Sequence, residues 1–392
     1  MEQTANEISV EITESKVRKM LSVLKTDKSP GPDGIHPLFL YSTLDEVTKP
    51  LTLIFKKSLA EGELPHDWKQ ANISPIYKKG ARNEAGNYRP VSLTSVVCKI
   101  LEAIIKQAIV QFLDDRQTIT PKQHGFVCGR SCLTNLLEVF ENWTESLNEG
   151  YGVDVIYMYL DYRKAFDTVP HKRLMTKLHQ AGIQGTVLNW IKAFLTGREM
   201  RVVVNKQSSV WSLVISGVPQ GSVLGPLLFI LYVNDLPDWI KNDMRIFADD
   251  TKVWSKIRGP KDCIKLQADL NQLQLWSDRW LLSFNPDKCK VMHIGHNYRF
   301  LYALQQNDIT HHLSETVEER DLGVLVTDNL SISTQCAEAA KKAMKVLSMV
   351  RRHLKDMDKE CFTILYTRVS IDHVWSMPYR LGLRICNEIL TA

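Results

Sequence analysis

Apolar positions recur at helical spacing in the first part of the chain. Val17, Met20, Leu21 and Leu24 share one face of a helix expected over 11–25. "KSPGPDGIHP" (28–37) must then be a loop, because three prolines and two glycines cannot occupy a helix interior. Helical spacing returns over 46–61 and over 99–113, where Ile100, Ile104, Ile105, Ile109 and Phe112 line one side. A further helix over 131–147 opens on Ser131, whose hydroxyl suits an N-cap.

The period then changes. "VDVIYMYL" (153–160) is a nearly continuous apolar and β-branched run, the pattern of a buried strand, and it delivers Asp161 at its end. "ANISPIYKKG" (71–80) reads as a strand running into a basic turn, and "MRVVVN" and "SLVIS" read as paired strands. Pro170 opens a helix to about 180, and another covers 186–195. "GVPQGSVLGP" is a glycine-rich turn into a helix over 226–234; a helix over 262–280 precedes the strand "KVMHIG" (290–295). Strands alternate with helices but also pair as hairpins, so the expected class is a mixed α+β layer rather than a doubly wound sheet. No internal repeat and no low-complexity tract is present.

Composition adds little to this outline. Hydrophobic residues at 44% and charged residues at 24% are an ordinary globular balance, and 392 residues allow two to three domains. Charge adds more, through its distribution. Residues 163–206 hold nine Lys/Arg against Asp167 and Glu199, a surplus larger than the +5 of the whole chain. Residues 69–130 hold ten basic residues against four acidic ones. Such segments suit a polyanionic partner or a solvated face. Cys128 and Cys132 have the spacing of half a zinc site, but no second Cys/His pair follows, so free thiols in a reduced intracellular protein are expected. The first residues lack the pattern of a signal or transit peptide. The longest apolar run, "PLLFILYV" (226–233), is too short to span a bilayer, and no membrane is expected as a partner.

The candidate chemistry sits in "RIFADDTKVW" (245–254), where Asp249 and Asp250 interrupt a strand-like apolar run. Two neighbouring carboxylates belong either to a solvated turn or to a cation site. "YLDYRKAFDTVPH" (159–171) tips the balance, because it ends a core strand on Asp161. Three convergent carboxylates suit hard divalent cations such as Mg²⁺, which share their sphere with substrate phosphates, and two such ions roughly 3.5–4 Å apart can activate an attacking hydroxyl and stabilise a leaving pyrophosphate. Metal charge also keeps adjacent aspartates ionised. The residues alone therefore point to metal-assisted phosphoryl transfer on a nucleic acid.

"LDYRKAFDTVPH", "SGVPQGSVLGPLLFILYVNDL" and "FADDTKVW", in this order, closely resemble the reverse transcriptase domain of non-LTR (LINE-type) retrotransposons. "KSPGPDGIHP", "ISPIYKKG", "NYRPVSLTSVVCKILE" and "WLLSFNPDKCKVMHIG" resemble segments of the same family, so the similarity runs from about Ser29 to Gly295 and more weakly to about 370. It implies a right-hand palm polymerase fold with fingers, palm and a short thumb. The implied segments are an N-terminal extension (1–70), fingers and palm (71–300) and a short, possibly truncated thumb or connection region (301–392). The implied activity is an RNA-directed DNA polymerase acting on an RNA template, a DNA primer and dNTPs, with two Mg²⁺ ions for which Mn²⁺ can substitute. The resemblance also implies residence in the nucleus or cytoplasm as a ribonucleoprotein.

By the same resemblance Asp161 and Asp249 ligate metal and Asp250 completes the acidic cluster. Phe166 lies under the incoming sugar, and Gln220 and Gly221 of "VPQG" support nucleotide and template. Lys78 and Arg89 hold the triphosphate, as a point charge and a bidentate ligand, unless they are plain surface charges. Lys288 stands near the leaving pyrophosphate as a candidate general acid. The basic amphipathic stretch 337–355 takes the place of the thumb. Family members usually carry an endonuclease upstream; only residues 1–70 precede the fingers here, so a piece of a longer element is expected. Two rivals compete. An RNA-templated RNA polymerase would place a second aspartate five positions after the first, whereas Phe166 fills that position and Asp167 follows at six. An inactive remnant that only binds nucleic acid would show a lost aspartate or a broken turn, and neither is seen.

Overall fold

Gly152–Tyr159 forms the central strand of a five-stranded sheet, as its apolar run predicts. The computed structural model describes residues 8–353 apart from 79, 161–164, 296–297 and 307. The chain divides into two compact units that interleave along the sequence. One, called here the hairpin unit, gathers Val127–Tyr159, Ile240–Gln274 and the segment from Asn285 onward. The other, the turn unit, gathers the segment up to Phe126 with Leu160–Trp239 and Leu275–Phe284. Each unit draws on separate stretches of the sequence, whereas the expected segments 1–70, 71–300 and 301–392 are contiguous.

In the hairpin unit the strand order is Ser314–Glu315, Lys290–Ile294, Gly152–Tyr159, Asp250–Ile257, Asp243–Phe247. The central strand is antiparallel to both neighbours, with Ile156 opposite Val253 on one side and Val291 on the other. One face is covered by the helix Cys132–Asn148, which begins with a full capping box between Ser131 and Thr134. Leu136, Val139, Phe140 and Trp143 of that helix pack with Val153, Val155, Tyr157, Trp254 and Met292. Removing this apolar surface from water is what stabilises the unit. Asp154 interrupts the apolar run yet is fully buried. It accepts hydrogen bonds from Tyr302 (2.6 Å) and pairs with His293 Nδ1 (2.5 Å), partners that lie far away in sequence. Beyond the sheet, Glu318–Asp321 and Val324–Thr327 form a second hairpin, followed by the helix Ser333–His353. Residues 354 and 355 of the basic stretch lie outside the described residues.

The turn unit is built on the strand Gln70–Tyr77, antiparallel to Tyr88–Thr94 and parallel to Arg198–Val204. Arg198–Val204 pairs in turn with Ser212–Val214, the strand pair expected from the sequence. The helices Glu14–Ser22, Leu44–Glu61, Val96–Asp115, His171–Gln180 and Gly185–Leu195 follow the predicted periodicities. The strand expected over 71–80 stops at Tyr77, where the basic turn begins. Lys177, buried in this unit, pairs with Asp235 and lies 3.7 Å from the Trp280 ring centroid, so its charge is met by a carboxylate and an aromatic face.

Candidate active site

The acidic residues of the hairpin unit owe their placement to backbone register. Phe247 pairs with Asp250, leaving Ala248 and Asp249 as a two-residue loop. Such loops match strand twist only with positive φ, and Ala248 adopts φ +57° although it is not glycine. Asp249 is therefore at the tip and Asp250 is the first residue of the returning strand; both are half-buried. On its other side Asp250 is registered opposite Tyr159, the last residue of the central strand. Asp161 follows Tyr159 by two positions in the sequence and itself lies outside the described residues.

Lys288 is carried to the same strand end. Asn285 N–H donates to Tyr159 O (2.9 Å), Lys288 N–H donates to Asn285 O (3.1 Å), and Cys289 Sγ accepts from Tyr159 N–H (3.5 Å). Burial drives the Cys289 thiol up to about 11, so it remains a neutral thiol there. Burial, with the carboxylates of Glu319, Asp321 and Asp250, also pushes the Tyr159 phenol far above its ordinary range. Its hydroxyl stays protonated and donates to Glu319 (3.3 Å), which also meets Lys290 (2.7 Å). Two residues beyond Asp250, Lys252 is buried; its Nζ donates to Asp321 and Asn135, each at 2.7 Å. Lys252 and Asp321 were not singled out in the sequence. The signal available was a lysine inside the otherwise apolar strand "TKVW".

The turn unit assembles a different surface. Phe166 stacks on Phe229, with ring centroids 4.4 Å apart and an interplanar angle of 14°. Its carbonyl accepts from Val218 N–H (2.7 Å), and Ser216 Oγ donates to Asp167 O (2.8 Å). The segment before Gln220 thus runs along the Phe166 segment. Gln220 O accepts from Ser92 N–H (2.7 Å), and its side-chain Nε2 reaches Asp167 Oδ1 at 3.5 Å. Burial raises the Asp167 carboxyl, and the Gln220 hydrogen bond opposes that rise. Gly221 has φ +114°, and a Cβ there would sit 2.5 Å from Ser92 O. Only glycine fits that approach.

Ser92 belongs to the same strand as Arg89, which faces Ile76 across the ladder. Lys78 follows the partner strand, its N–H donating to Asn87 O (2.9 Å). Arg89 and Lys78 are both exposed at the end of this pair. The structure thus brings Phe166, Gln220 and Gly221 together in one unit, with Arg89 on the strand that touches them. In the other unit Asp249 and Asp250 stand at the hairpin paired with Tyr159, and Lys288 follows Asn285, whose N–H meets the Tyr159 carbonyl. Among the described residues, which do not include Asp161, no group of three His, Cys, Asp or Glu side chains is arranged to hold a metal ion. No described helix is long and apolar enough to cross a membrane.

Comparison with known proteins bears on these two surfaces. The family model described as reverse transcriptase (RNA-dependent DNA polymerase) matches residues 76–350. The chain is 32% identical to the probable RNA-directed DNA polymerase from transposon X-element of Drosophila melanogaster, over 70% of this chain and 30% of that protein. It is 31% identical to the RNA-directed DNA polymerase from mobile element jockey of the same organism, over 71% of this chain and 31% of that one. Similarity extends to the retrovirus-related Pol polyprotein from type-1 retrotransposable element R2 of Popillia japonica, 27% identical over 53% of this chain and 28% of that protein. The chain spans about a third of the length of the curated relatives it matches. The family match takes in both the acidic hairpin and the Gln220 turn and covers more than half of the sequence, and the chain belongs to the reverse transcriptase (RNA-dependent DNA polymerase) family.

Proposed function

We propose that the chain is the RNA-directed DNA polymerase of a non-LTR retrotransposon, extending a DNA primer on an RNA template with deoxynucleoside triphosphates. The observation that carries this reading is the register of the hairpin: Asp249 and Asp250 stand at a two-residue loop whose strand is paired with Tyr159, two positions before Asp161. Asp161, Asp249 and Asp250 offer the hard oxygen donors that Mg²⁺ takes and that Mn²⁺ also accepts. Two bound ions would activate the primer's 3′ hydroxyl and stabilise the leaving pyrophosphate.

The chain's own residues do the rest. The Tyr159 phenol, held neutral, adds no further negative charge beside Asp250. The Phe166 ring, backed by Phe229, forms a flat wall under a deoxyribose and excludes a 2′ hydroxyl. Gln220 and Gly221 support the incoming nucleotide and the template. Arg89 and Lys78 bind the triphosphate oxygens. Lys288 Nζ gives a proton to the leaving pyrophosphate. In this reading the hairpin-unit sheet is the palm of a right hand, the strands around Arg89 are fingers, and the helix Ser333–His353 is a short thumb that follows duplex phosphates.

The test is extension of a DNA primer on an RNA of defined sequence by the purified chain with Mg²⁺ and dNTPs. The expected product is complementary to the template and longer than the primer. Tight binding of template–primer with no extension would instead identify a chain that binds nucleic acid without copying it.

A further inference from the structure

Glu102 lies on the long helix Val96–Asp115 and is fully buried. In sequence it is one polar residue in an amphipathic stretch, yet no water reaches it. Its Oε2 accepts two backbone hydrogen bonds, from Val223 N–H at 2.7 Å and Leu224 N–H at 3.0 Å. These amides immediately follow Gln220, Gly221 and Ser222 and immediately precede the helix Gly225–Tyr232. Its Oε1 is also buried and has no hydrogen-bond partner among the described residues. Both of these hydrogen bonds go to this turn, while the charges of the buried Arg198 and of Lys99 also act on the carboxyl. Desolvating a carboxylate is costly unless donors replace water, and here the donors are the turn's own amides.

The same chain segment meets the turn at a second point. Ser92 N–H donates to Gln220 O (2.7 Å) just before Ser95 caps the helix that carries Glu102. Ile100, Leu101, Ile104 and Ile105 anchor that helix in the core of the turn unit. A carboxylate on a rigid, packed helix fixes its acceptor oxygen closely, as a positioning group must. Ser222 Oγ tightens the turn locally, donating to Pro219 O (2.8 Å) and accepting from Gly225 N–H (2.9 Å). Of these attachments only Glu102 reaches in from a distant helix by a side chain.

We infer that Glu102 is a positioning residue of the polymerase site, setting the height and orientation of the Gln220–Gly221 turn through its two hydrogen bonds to Val223 and Leu224. This rests on the reading of that turn as the nucleotide support. For holding the Val223 and Leu224 amides, the reach of the acceptor oxygen matters more than the charge shared with Arg198. Glu102→Gln keeps an oxygen at the same reach and loses the charge; Glu102→Asp keeps the charge and withdraws the oxygen by one methylene.

The experiment is steady-state insertion of a single dNTP on an RNA template by the full chain, with template–primer affinity and thermal unfolding measured on the same samples. The expected result is a KM for dNTP raised about ten-fold or more in Glu102→Asp, the scale of a lost hydrogen bond to a charged group. Glu102→Gln should stay within roughly three-fold of wild type, a small part of that loss, with template–primer affinity unchanged in both. Equal effects, or a larger loss in Glu102→Gln, would overturn the inference in favour of an electrostatic role. Failure of both variants to fold would overturn it by making Glu102 a stability residue. If the wild type itself extends no primer, the polymerase reading fails first; normal extension with the wrong order of variants sinks only the role of Glu102.

Discussion

The hairpin bearing Asp249 and Asp250 and the turn bearing Gln220 and Gly221 are both tight, but they are held by different forces. The hairpin is locked by strand register: Asp250 is paired on both sides, and the sheet beneath it is covered by Leu136, Val139 and Trp143. The turn belongs to no strand. It is held by Ser92 N–H, by side chains from Ser216, Ser222 and Glu102, and by a glycine at φ +114° pressed on Ser92. A ladder spreads its support over many backbone bonds, whereas a side-chain bracket concentrates it in a few atoms. The backbone of the hairpin should therefore tolerate exposed substitutions beside the acidic pair, whereas the shape of the turn depends on each of those few atoms.

The largest expected effect breaks the chemistry of the hairpin without breaking its frame. Asp249→Asn should lower single-nucleotide insertion by about three orders of magnitude, equivalent to about 4 kcal/mol of transition-state stabilisation. Template–primer affinity should remain near wild type, because basic surfaces supply it, and should fall steeply with salt. Parallel loss of binding and insertion would count against a catalytic role.

Next comes the buried charge beneath the hairpin. Lys252→Met leaves Asp321 charged and unpaired at about one-twentieth exposure, and should cost roughly 3–5 kcal/mol in denaturant unfolding. Lys252→Met combined with Asp321→Leu should recover most of that loss, because the stranded charge is gone. A double variant as unstable as the single one would show that the ion pair itself, rather than the orphaned carboxylate, holds the sheet.

A smaller effect sharpens the other side of the comparison. Phe166→Ala removes the ring stacked on Phe229 and should raise ribonucleotide incorporation relative to deoxynucleotide by roughly ten-fold, the size of a lost steric clash worth 1–3 kcal/mol. An unchanged ratio would make Phe166 a core aromatic only. The smallest effect concerns pH. Burial raises the Glu102 carboxyl above its ordinary value of 4.5, so the fold prefers its neutral form. That preference stabilises fully below 4.5 and is lost as the pH rises through the raised value. Wild type should therefore lose thermal stability relative to Glu102→Gln as the pH rises above 4.5; a pH-independent gap would contradict this.

Local physics made much of the frame legible in the sequence. The β-branched run of 153–160 became the central strand, and Ser131 became a cap, because both signals act within a few residues. The Asp249–Asp250 turn was legible for the same reason. Asp154, Lys252 and Glu102 were not. Each is a charged residue buried by partners more than 60 positions away: Tyr302, Asp321 and the amides after Ser222. A sequence window sees a charge and expects water, whereas the fold supplies the partner. Asp161 lies outside the described residues; the strand run that ends at Leu160 and the family motif are the signals that single it out.

On the proposed function, the carboxylates of the hairpin gather divalent ions for nucleotidyl transfer. Titration of Mn²⁺ into the chain with template–primer and dNTP, followed by electron paramagnetic resonance, tests it directly. Wild type should bind Mn²⁺ in competition with Mg²⁺, and Asp249→Asn should weaken this binding at least about ten-fold, as loss of a hard carboxylate ligand should. Superimposable titrations for wild type and Asp249→Asn would contradict it.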